Sequence, residues 1–291
     1  MADKQITPFQ LTDQFTMDNF NQRINETNIA LQSKPNPNLL DNWYFANPVN
    51  QRGQTTYTGT GYTIDRWCGR YGGDMTAVIR DGYIEISRPN YAAHLRQYSD
   101  SSLAGKTVTV SALCSRINMF FESTANGVDY ANVKNKVLTG SDELSMLTFT
   151  LTVPNDSTGF CIALTTAEEK QTGKIAAAKL ELGSQQTLAH QENGNWVLNE
   201  IPDYADTLAR CQRYFCRMYC KCPPKNSSAA NDNQNGGFIS FPVTMRTNPT
   251  GSLISKEVST ISLGETTVNG FDVGGADNYS RSFVADFTAD L

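Results

Sequence analysis

The chain has 291 residues and a formal net charge of −5, with 39% hydrophobic and 18% charged residues. This hydrophobic content can form a buried core, which excludes a disordered polymer. Lysine and arginine form no cluster, so we expect no nucleic-acid binding. No apolar stretch reaches the ~18 residues that a transmembrane helix needs, and residues 1–5 lack the apolar core of a signal peptide. We therefore expect synthesis in the cytoplasm and no membrane insertion.

Histidine and cysteine limit the chemistry that the chain can carry out. The two histidines, His94 and His190, are too few for a multi-histidine metal site and argue against histidine-based catalysis. The seven cysteines have no spacing typical of a disulfide framework. Four of them are close in sequence: Cys211, Cys216, Cys220 and Cys222. Because they lack the C-x2-C pairs of zinc ribbons, we favour reduced buried thiols, with zinc binding as the alternative, and expect no cofactor.

A short amphipathic helix is predicted near the N-terminus. Five residues recur at the a and d positions of two heptads: Met17, Phe20, Ile24, Thr27 and Leu31. Two heptads are too short to be stable alone. The helix therefore either packs on its own domain or pairs between chains as a short coiled coil. Pro35 ends the pattern, so residues 1–35 are assigned to an N-terminal attachment segment.

Residues 36–185 have the period-two pattern of β-strands. The clearest case is the run of residues 147–153, where apolar side chains alternate with threonines. Short alternating runs separated by turn residues predict an antiparallel jelly-roll β-sandwich with one solvated face. No strand–helix–strand alternation is present, which argues against Rossmann and TIM-barrel folds. Trp43 and Trp67 are predicted core residues.

The rest of the chain is predicted to hold a polar connector and a smaller β-domain. Residues 186–206 form the connector, with a hairpin turn at Asn193-Gly194. Residues 207–291 form the smaller β-sandwich. Its first element is expected to begin as a helix near Ala205 and to become a strand at residues 212–215.

No motif predicts catalysis. Carboxylates are scattered through turns and strands: Asp65, Asp74, Asp81, Glu85, Asp129, Glu181 and Asp206. A glycosidase needs two of them about 5–10 Å apart in a cleft, and the sequence places no two together. Phosphate-binding loops and nucleophile motifs are absent. We therefore expect the chain not to be an enzyme.

Tyrosines in polar, turn-rich sequence are the better candidates for a binding site. Exposed rings can stack on the C–H faces of sugars while nearby amides bind the hydroxyl groups. The glycan-binding candidates are Tyr57, Tyr62, Tyr91, Tyr98, Tyr130 and Tyr279, and Tyr71 has a similar setting. The alternative is that each is a half-buried strand residue, since tyrosine is intermediate in burial.

Several segments resemble the tail-fibre and related virion proteins of tailed phages and prophages. The start of their jelly-roll module is similar to residues 38–53 (NLLDNWYFANPVNQRG) and 61–67 (GYTIDRW), and its end is similar to residues 179–183 (KLELG). Their C-terminal β-domain is similar to residues 209–215 (ARCQRYF), 241–249 (FPVTMRTNP) and 285–291 (ADFTADL). The chain departs from them at residues 185–189, which lack the usual Thr-Pro-Phe continuation, and in its group of four cysteines.

The resemblance implies a jelly roll like a carbohydrate-binding module, assembled as a homotrimer on a phage particle or phage-tail-like machine. It implies adhesion to a host cell-surface glycan. The N-terminal segment would dock to the baseplate or to another virion protein, and the virion would leave the host by lysis. Two alternatives remain open. One is a structural virion component without a sugar site, such as a head fibre, collar or baseplate decoration. The other is a glycan-degrading enzyme.

Overall fold

The computed structural model describes residues 17, 20–21, 35–71, 73–125, 128–138, 142–222, 236–274 and 280–290, with the backbone alone for 124–125, 128–138 and 236. This part of the chain is mainly β, which confirms the predicted fold class. Of the predicted N-terminal helix, Met17, Phe20 and Asn21 are described and are helical. Met17 and Phe20 are exposed. Ile24, Thr27 and Leu31 lie outside the described residues.

The jelly roll consists of two antiparallel six-stranded sheets. Sheet A has the order β1 (Thr56–Thr58), β4 (Thr76–Arg80), β5 (Tyr83–Ser87), β12 (Thr172–Leu182), β7 (Thr107–Ser115) and β10 (Ser145–Thr152). Sheet B has the order β2 (Gly61–Tyr62), β3 (Cys68–Arg70), β6 (His94–Ser99), β11 (Ser157–Thr166), β8 (Ile117–Ala125) and β9 (Val128–Leu138). The apolar core lies between the two sheets.

The alternation predicted for residues 147–153 is present in β10, where Leu147 and Phe149 are buried in the core. The expectation of one solvated face is wrong for the central strands, because β7, β11 and β12 are buried along almost their whole length. On β12 the connector covers the outward side chains. Lys179 Nζ lies 2.8 Å from Glu200 Oε1, and Glu181 accepts hydrogen bonds from Thr187.

The chain enters the sandwich along β12. Leu39 N donates to Leu180 O at 2.8 Å, and Tyr44 forms a bridge with Ala177. Trp43 and Trp67 are both buried, which confirms them as core residues.

A loop closed by Asn42 follows this entry. The buried Asn42 amide donates to Val49 O and Asp65 O and accepts from Val49 N, each at 2.8 Å. Trp67 Nε1 donates to Asn42 O at 3.0 Å. The closed conformation of this loop therefore depends on the side chain and the backbone carbonyl of Asn42.

The connector begins as a short hairpin. It pairs β13 (Ala189–Glu192) with β14 (Asn195–Leu198), which confirms the predicted turn at Asn193-Gly194. Leu188 and Ala189 join the core of the jelly roll. No helix among the described residues is long and apolar enough to cross a membrane.

The C-terminal domain begins with helix α1 (Tyr204–Gln212), whose N-terminus is capped by the Asp203 carboxylate. The strands are β15 (Phe215–Cys222), β16 (Gly236–Ser240), β17 (Thr250–Lys256), β18 (Ser262–Thr267), β19 (Gly270–Gly274) and β20 (Arg281–Thr288). They form two three-stranded sheets, β15-β20-β17 and β16-β19-β18, around a phenylalanine-rich core. The predicted strand at residues 212–215 is wrong, because the helix extends to Gln212 with Cys211 buried beneath it.

We expect Asn42→Ala to lower the free energy of unfolding by about 3 kcal/mol, because it leaves several buried backbone groups without partners. Alanine also tolerates the local φ of 50° less well than asparagine. Urea denaturation measures the change. Asn47→Ala, in the same loop but exposed, is the matched control and should shift stability by less than about 0.5 kcal/mol. Equal effects of the two variants would contradict the role of Asn42.

Candidate functional site

The outer face of sheet B is the face turned away from the core. Leu95, Ile162 and Phe121 point inward on their strands. Because side chains alternate along a strand, their neighbours point outward. The outward residues on four successive strands are Cys68 and Arg70 on β3, His94, Arg96 and Tyr98 on β6, Cys161 and Ala163 on β11, and Phe120 and Glu122 on β8.

A buried ion pair crosses this face. Arg96 Nη1 lies 2.7 Å from Glu122 Oε2, and Arg96 Nη2 lies 3.1 Å from Glu122 Oε1. The side chains are only 6% and 9% exposed. Arg96 and Glu122 lie on strands either side of β11, where Cys161 and Ala163 are small enough to let the pair meet above them. This two-point contact fixes the guanidinium in one orientation.

Two exposed tyrosines lie at one end of sheet B. Tyr71 follows β3 and is 61% exposed, and Tyr91 precedes β6 and is 55% exposed. Their loops are adjacent, since Arg70 pairs with His94 in the β3–β6 register and Arg88 forms an ion pair with Asp74.

Arginines hold both of these rings. The Arg96 guanidinium carbon lies 4.7 Å from the Tyr71 ring centroid, and that of Arg88 lies 4.5 Å from the Tyr91 centroid. The Tyr71 ring also meets the His94 ring edge-on, at 5.1 Å between centroids. We call the set Arg70, Tyr71, Arg88, Tyr91 and His94 the aromatic edge. Both rings are in contact with an arginine and are more than half exposed to solvent.

His94 is neutral at this edge. Burial, with help from Arg96 and Arg88, lowers the pKa of His94 to about 4. Its Nδ1 atom is buried without a hydrogen-bond partner among the described residues. Arg70 is exposed, lies 5.2 Å from the Tyr98 ring and hydrogen-bonds the side chains of Tyr98 and Cys68.

The structure brings together some of the predicted tyrosines. Tyr62 and Tyr98 lie on the outer face of sheet B, next to Cys68 and Cys161. Tyr98 is 8% exposed, so its ring is covered by its neighbours on that face. Tyr91 is on the aromatic edge. Tyr57 is 7% exposed and packs in the core of the sandwich.

The remaining predicted residues are less informative. Only the backbone of Tyr130 is described, in β9, and Tyr279 lies outside the described residues. Sequence analysis left Tyr71 out of the candidate set and missed Arg70, Arg88, Arg96 and His94. The sequence signal for Arg70 and Tyr71 was an arginine beside a tyrosine in a glycine-rich turn, at residues 69–73.

Tyr57 and Tyr62 meet at a second place. Both line a polar pocket of 290 Å³ between the jelly roll and the C-terminal domain. The other charged side chains of its wall are Arg52, Arg217 and Asp286. Arg217 and Asp286 form a two-point ion pair at 2.6 and 2.7 Å, so the charges of that wall are satisfied within the protein.

Arg52 joins the two domains. Its Nη1 lies 3.0 Å from Asp65 Oδ1 in the jelly roll, and its Nη2 lies 3.0 Å from Asp290 Oδ2. It also stacks 3.7 Å from the ring centroid of Phe215. The two carboxylates are 0% and 5% exposed. They both face Arg52, which leaves no room for a substrate between them.

The cysteine group is divided between two elements. Cys216, Cys220 and Cys222 face the core of the C-terminal domain, and Cys211 is buried under α1. Burial raises the pKa of each of Cys211, Cys216 and Cys220. Within the described ranges no three histidine, cysteine or carboxylate side chains converge as metal ligands.

Asp65 makes stability depend on pH. Burial raises its pKa to about 6 from 3.8, although hydrogen bonds from Gln51 and the charge of Arg52 oppose this. The folded chain therefore binds this proton more tightly than the unfolded chain, so the contribution of Asp65 to stability falls as pH rises from about 4 to about 6. We expect parent stability relative to Asp65→Asn to fall by about 2–3 kcal/mol over that range. Denaturant titrations at several pH values measure it, and a constant difference would contradict it.

The comparisons with known proteins give no family. No protein-family model matches the chain, and neither does any curated protein. Several solved structures do match. The CBM22-1 xylan-binding domain of Paenibacillus barcinonensis Xyn10C gives a TM-score of 0.37 at 11% identity, over 51% of this chain and 96% of that one.

Two further solved structures are similar at the same level. The C-terminal family 22 carbohydrate-binding module of Clostridium thermocellum Xyn10B gives a TM-score of 0.34 at 14% identity, over 45% of this chain and 94% of that one. The enzymatically active domain of bacteriophage CBA120 tailspike protein 4 gives 0.35 at 11% identity, over 50% of this chain and 21% of that one. TM-scores of this size assign no function to this chain.

Proposed function

We propose that the chain binds a host-surface glycan without cleaving it, as a fibre protein of a phage or phage-tail-like virion. The observation that carries the proposal is the aromatic edge, where Tyr71 and Tyr91 expose their rings on adjacent loops of sheet B. A sugar can place its C–H face on such a ring. Exposed hydrophobic groups that cluster at one end of a sheet are typical of a binding surface.

The contacts between the arginines and the two rings favour binding, because the rings lose little conformational freedom when a ligand binds. Arg96 and Arg88 lie over Tyr71 and Tyr91 and restrict their rotamers in the free protein. Freezing a flexible side chain costs about 0.5–1.5 kcal/mol on binding, and here part of that cost is met during folding. The neutral His94 ring adds a polar atom beside Tyr71.

Binding without turnover is supported by the state of the carboxylates near the site. Glu122 is held by Arg96 and Asp74 by Arg88, so both act as structural counter-ions. A catalytic acid instead needs a free carboxyl that reaches the scissile bond. Glu181, one of the other candidates, is buried and accepts hydrogen bonds from Thr187.

The virion part of the proposal is supported by the sequence resemblance and by the weakness expected of a small open site. Linking several copies on one particle raises the apparent affinity by about 10²–10⁴. A homotrimer held by the N-terminal helix would provide such copies, and the same segment would dock to the baseplate or another virion protein. The alternative is a structural virion component, which would bind no glycan.

We expect Tyr71→Ala and Tyr91→Ala each to weaken glycan binding by about two- to tenfold, because each removes an exposed stacking face, which is worth about 0.5–1.5 kcal/mol. Binding is measured on an array of neutral and acidic bacterial and plant glycans, with isothermal titration of the best ligand. Tyr204→Ala is the matched control, since Tyr204 is 47% exposed but lies on α1. If all three variants bind equally, the aromatic edge is not the site. If no glycan binds, the structural alternative is favoured.

The homotrimer is tested by light scattering of the full chain and of a chain that begins at Pro35. This start keeps Asn36, whose backbone N donates to Thr187 Oγ1 at 3.0 Å. We expect the full chain to be a trimer and the shortened chain a monomer, because removal of the heptad residues removes the coiled-coil seam. A monomeric full chain at micromolar concentration would contradict the trimer.

A further inference from the structure

The charges at the aromatic edge do not cancel. Arg88 is paired with Asp74, and Arg96 with Glu122. Arg70 has no carboxylate within ion-pair distance in the part of the chain that the structure describes. With His94 neutral, three arginines face two carboxylates, which leaves one net positive charge beside the exposed rings of a chain whose net charge is −5.

The unpaired charge of Arg70 lies beside the Tyr71 ring, so a ligand stacked on that ring would extend towards it. Arg70 is the outward residue at the end of β3, directly before Tyr71, and is exposed. It lies opposite His94 in the β3–β6 register. Its contacts with Tyr98 and Cys68 anchor the side chain. A guanidinium has five N–H donors, so these contacts leave donors available to a ligand.

We propose that the aromatic edge selects acidic glycans, in which a sugar carboxylate pairs with Arg70 while a neighbouring sugar ring stacks on Tyr71. This inference rests on the proposed function, since it names the ligand class of that site. A planar guanidinium matches the two oxygens of a carboxylate, which gives selectivity over an uncharged hydroxymethyl group.

Other anions could also pair with Arg70, because a guanidinium makes two-point contacts with tetrahedral oxyanions as well as with carboxylates. A sulfate ester on a polymer presents three oxygens on a tetrahedral centre, whereas a uronic or sialic acid presents a planar pair. The exposed side chain of Arg70 can meet a planar pair edge to edge. The proposal commits to the carboxylates of uronic and sialic acids, and a sulfated polymer is the control that tests this choice.

The experiment compares each acidic ligand with its own uncharged form. The ligands are tetragalacturonate, an oligosialic acid and a hyaluronan hexasaccharide, each before and after chemical reduction of its carboxyl groups to hydroxymethyl groups. We expect the parent protein to bind at least one acid form about tenfold more tightly than its reduced form, the usual strength of a charge-assisted contact. Because this comparison uses the unmodified protein, it does not depend on the folding of a variant.

Two variants locate the effect. Arg70→Gln should abolish the preference for the acid form while keeping binding of the reduced form. Arg80→Gln is the matched control, because it removes one positive charge from an exposed arginine on sheet A. It should keep the preference. Thermal denaturation confirms that both variants are folded.

The outcomes separate the inference from the proposed function. Equal binding of acid and reduced forms, or a preference that survives Arg70→Gln, overturns the inference but leaves the proposed glycan site intact if Tyr71→Ala still weakens binding. Equal binding of dextran sulfate overturns the selection for carboxylates. If the parent protein binds no glycan in either form or on the neutral array, both the inference and the proposed function are overturned.

Discussion

The Arg96–Glu122 ion pair is the constraint on which the outer face of sheet B depends. Two charges taken out of water must be matched, because removing one partner of such a pair typically costs about 3–5 kcal/mol. The match requires small residues on the strand between them, and Cys161 and Ala163 meet that requirement. Once fixed, the guanidinium of Arg96 supports the Tyr71 ring and disfavours a charge on His94. The need to pair two buried charges thereby fixes the position of an exposed ring at the aromatic edge.

The fold places this edge by strand register rather than by sequence proximity. Tyr71 and Tyr91 are separated by 20 positions in the chain, with β4 and β5 of sheet A between them. The β3–β6 pairing brings their loops to the same end of sheet B, and the ion pair between Arg88 and Asp74 ties the loops together. Loops on a rigid sheet commonly carry recognition residues for this reason.

The sequence patterns predicted the sandwich because alternation is a local property. Residues 147–153 needed no knowledge of their neighbours to indicate a strand. The solvated face could not be predicted for β12, since its cover comes from Thr187 and Glu200 in the connector. Tyr57 shows a related limit. It lies in a three-residue strand, where alternation is too short to choose between the two faces, and it packs on the core. The grouping of the arginines at the aromatic edge could not be predicted without knowledge of the β3–β6 register.

The unpaired charge of Arg70 also has a kinetic consequence. The chain as a whole is acidic, so an acidic polymer is repelled at long range and attracted near this edge. At physiological ionic strength the Debye length is about 8 Å, which screens the long-range repulsion more than the contact itself. Added salt would then speed the encounter with such a polymer while shortening the lifetime of the complex. A higher ionic strength would thus raise both the association rate and the dissociation rate of the complex.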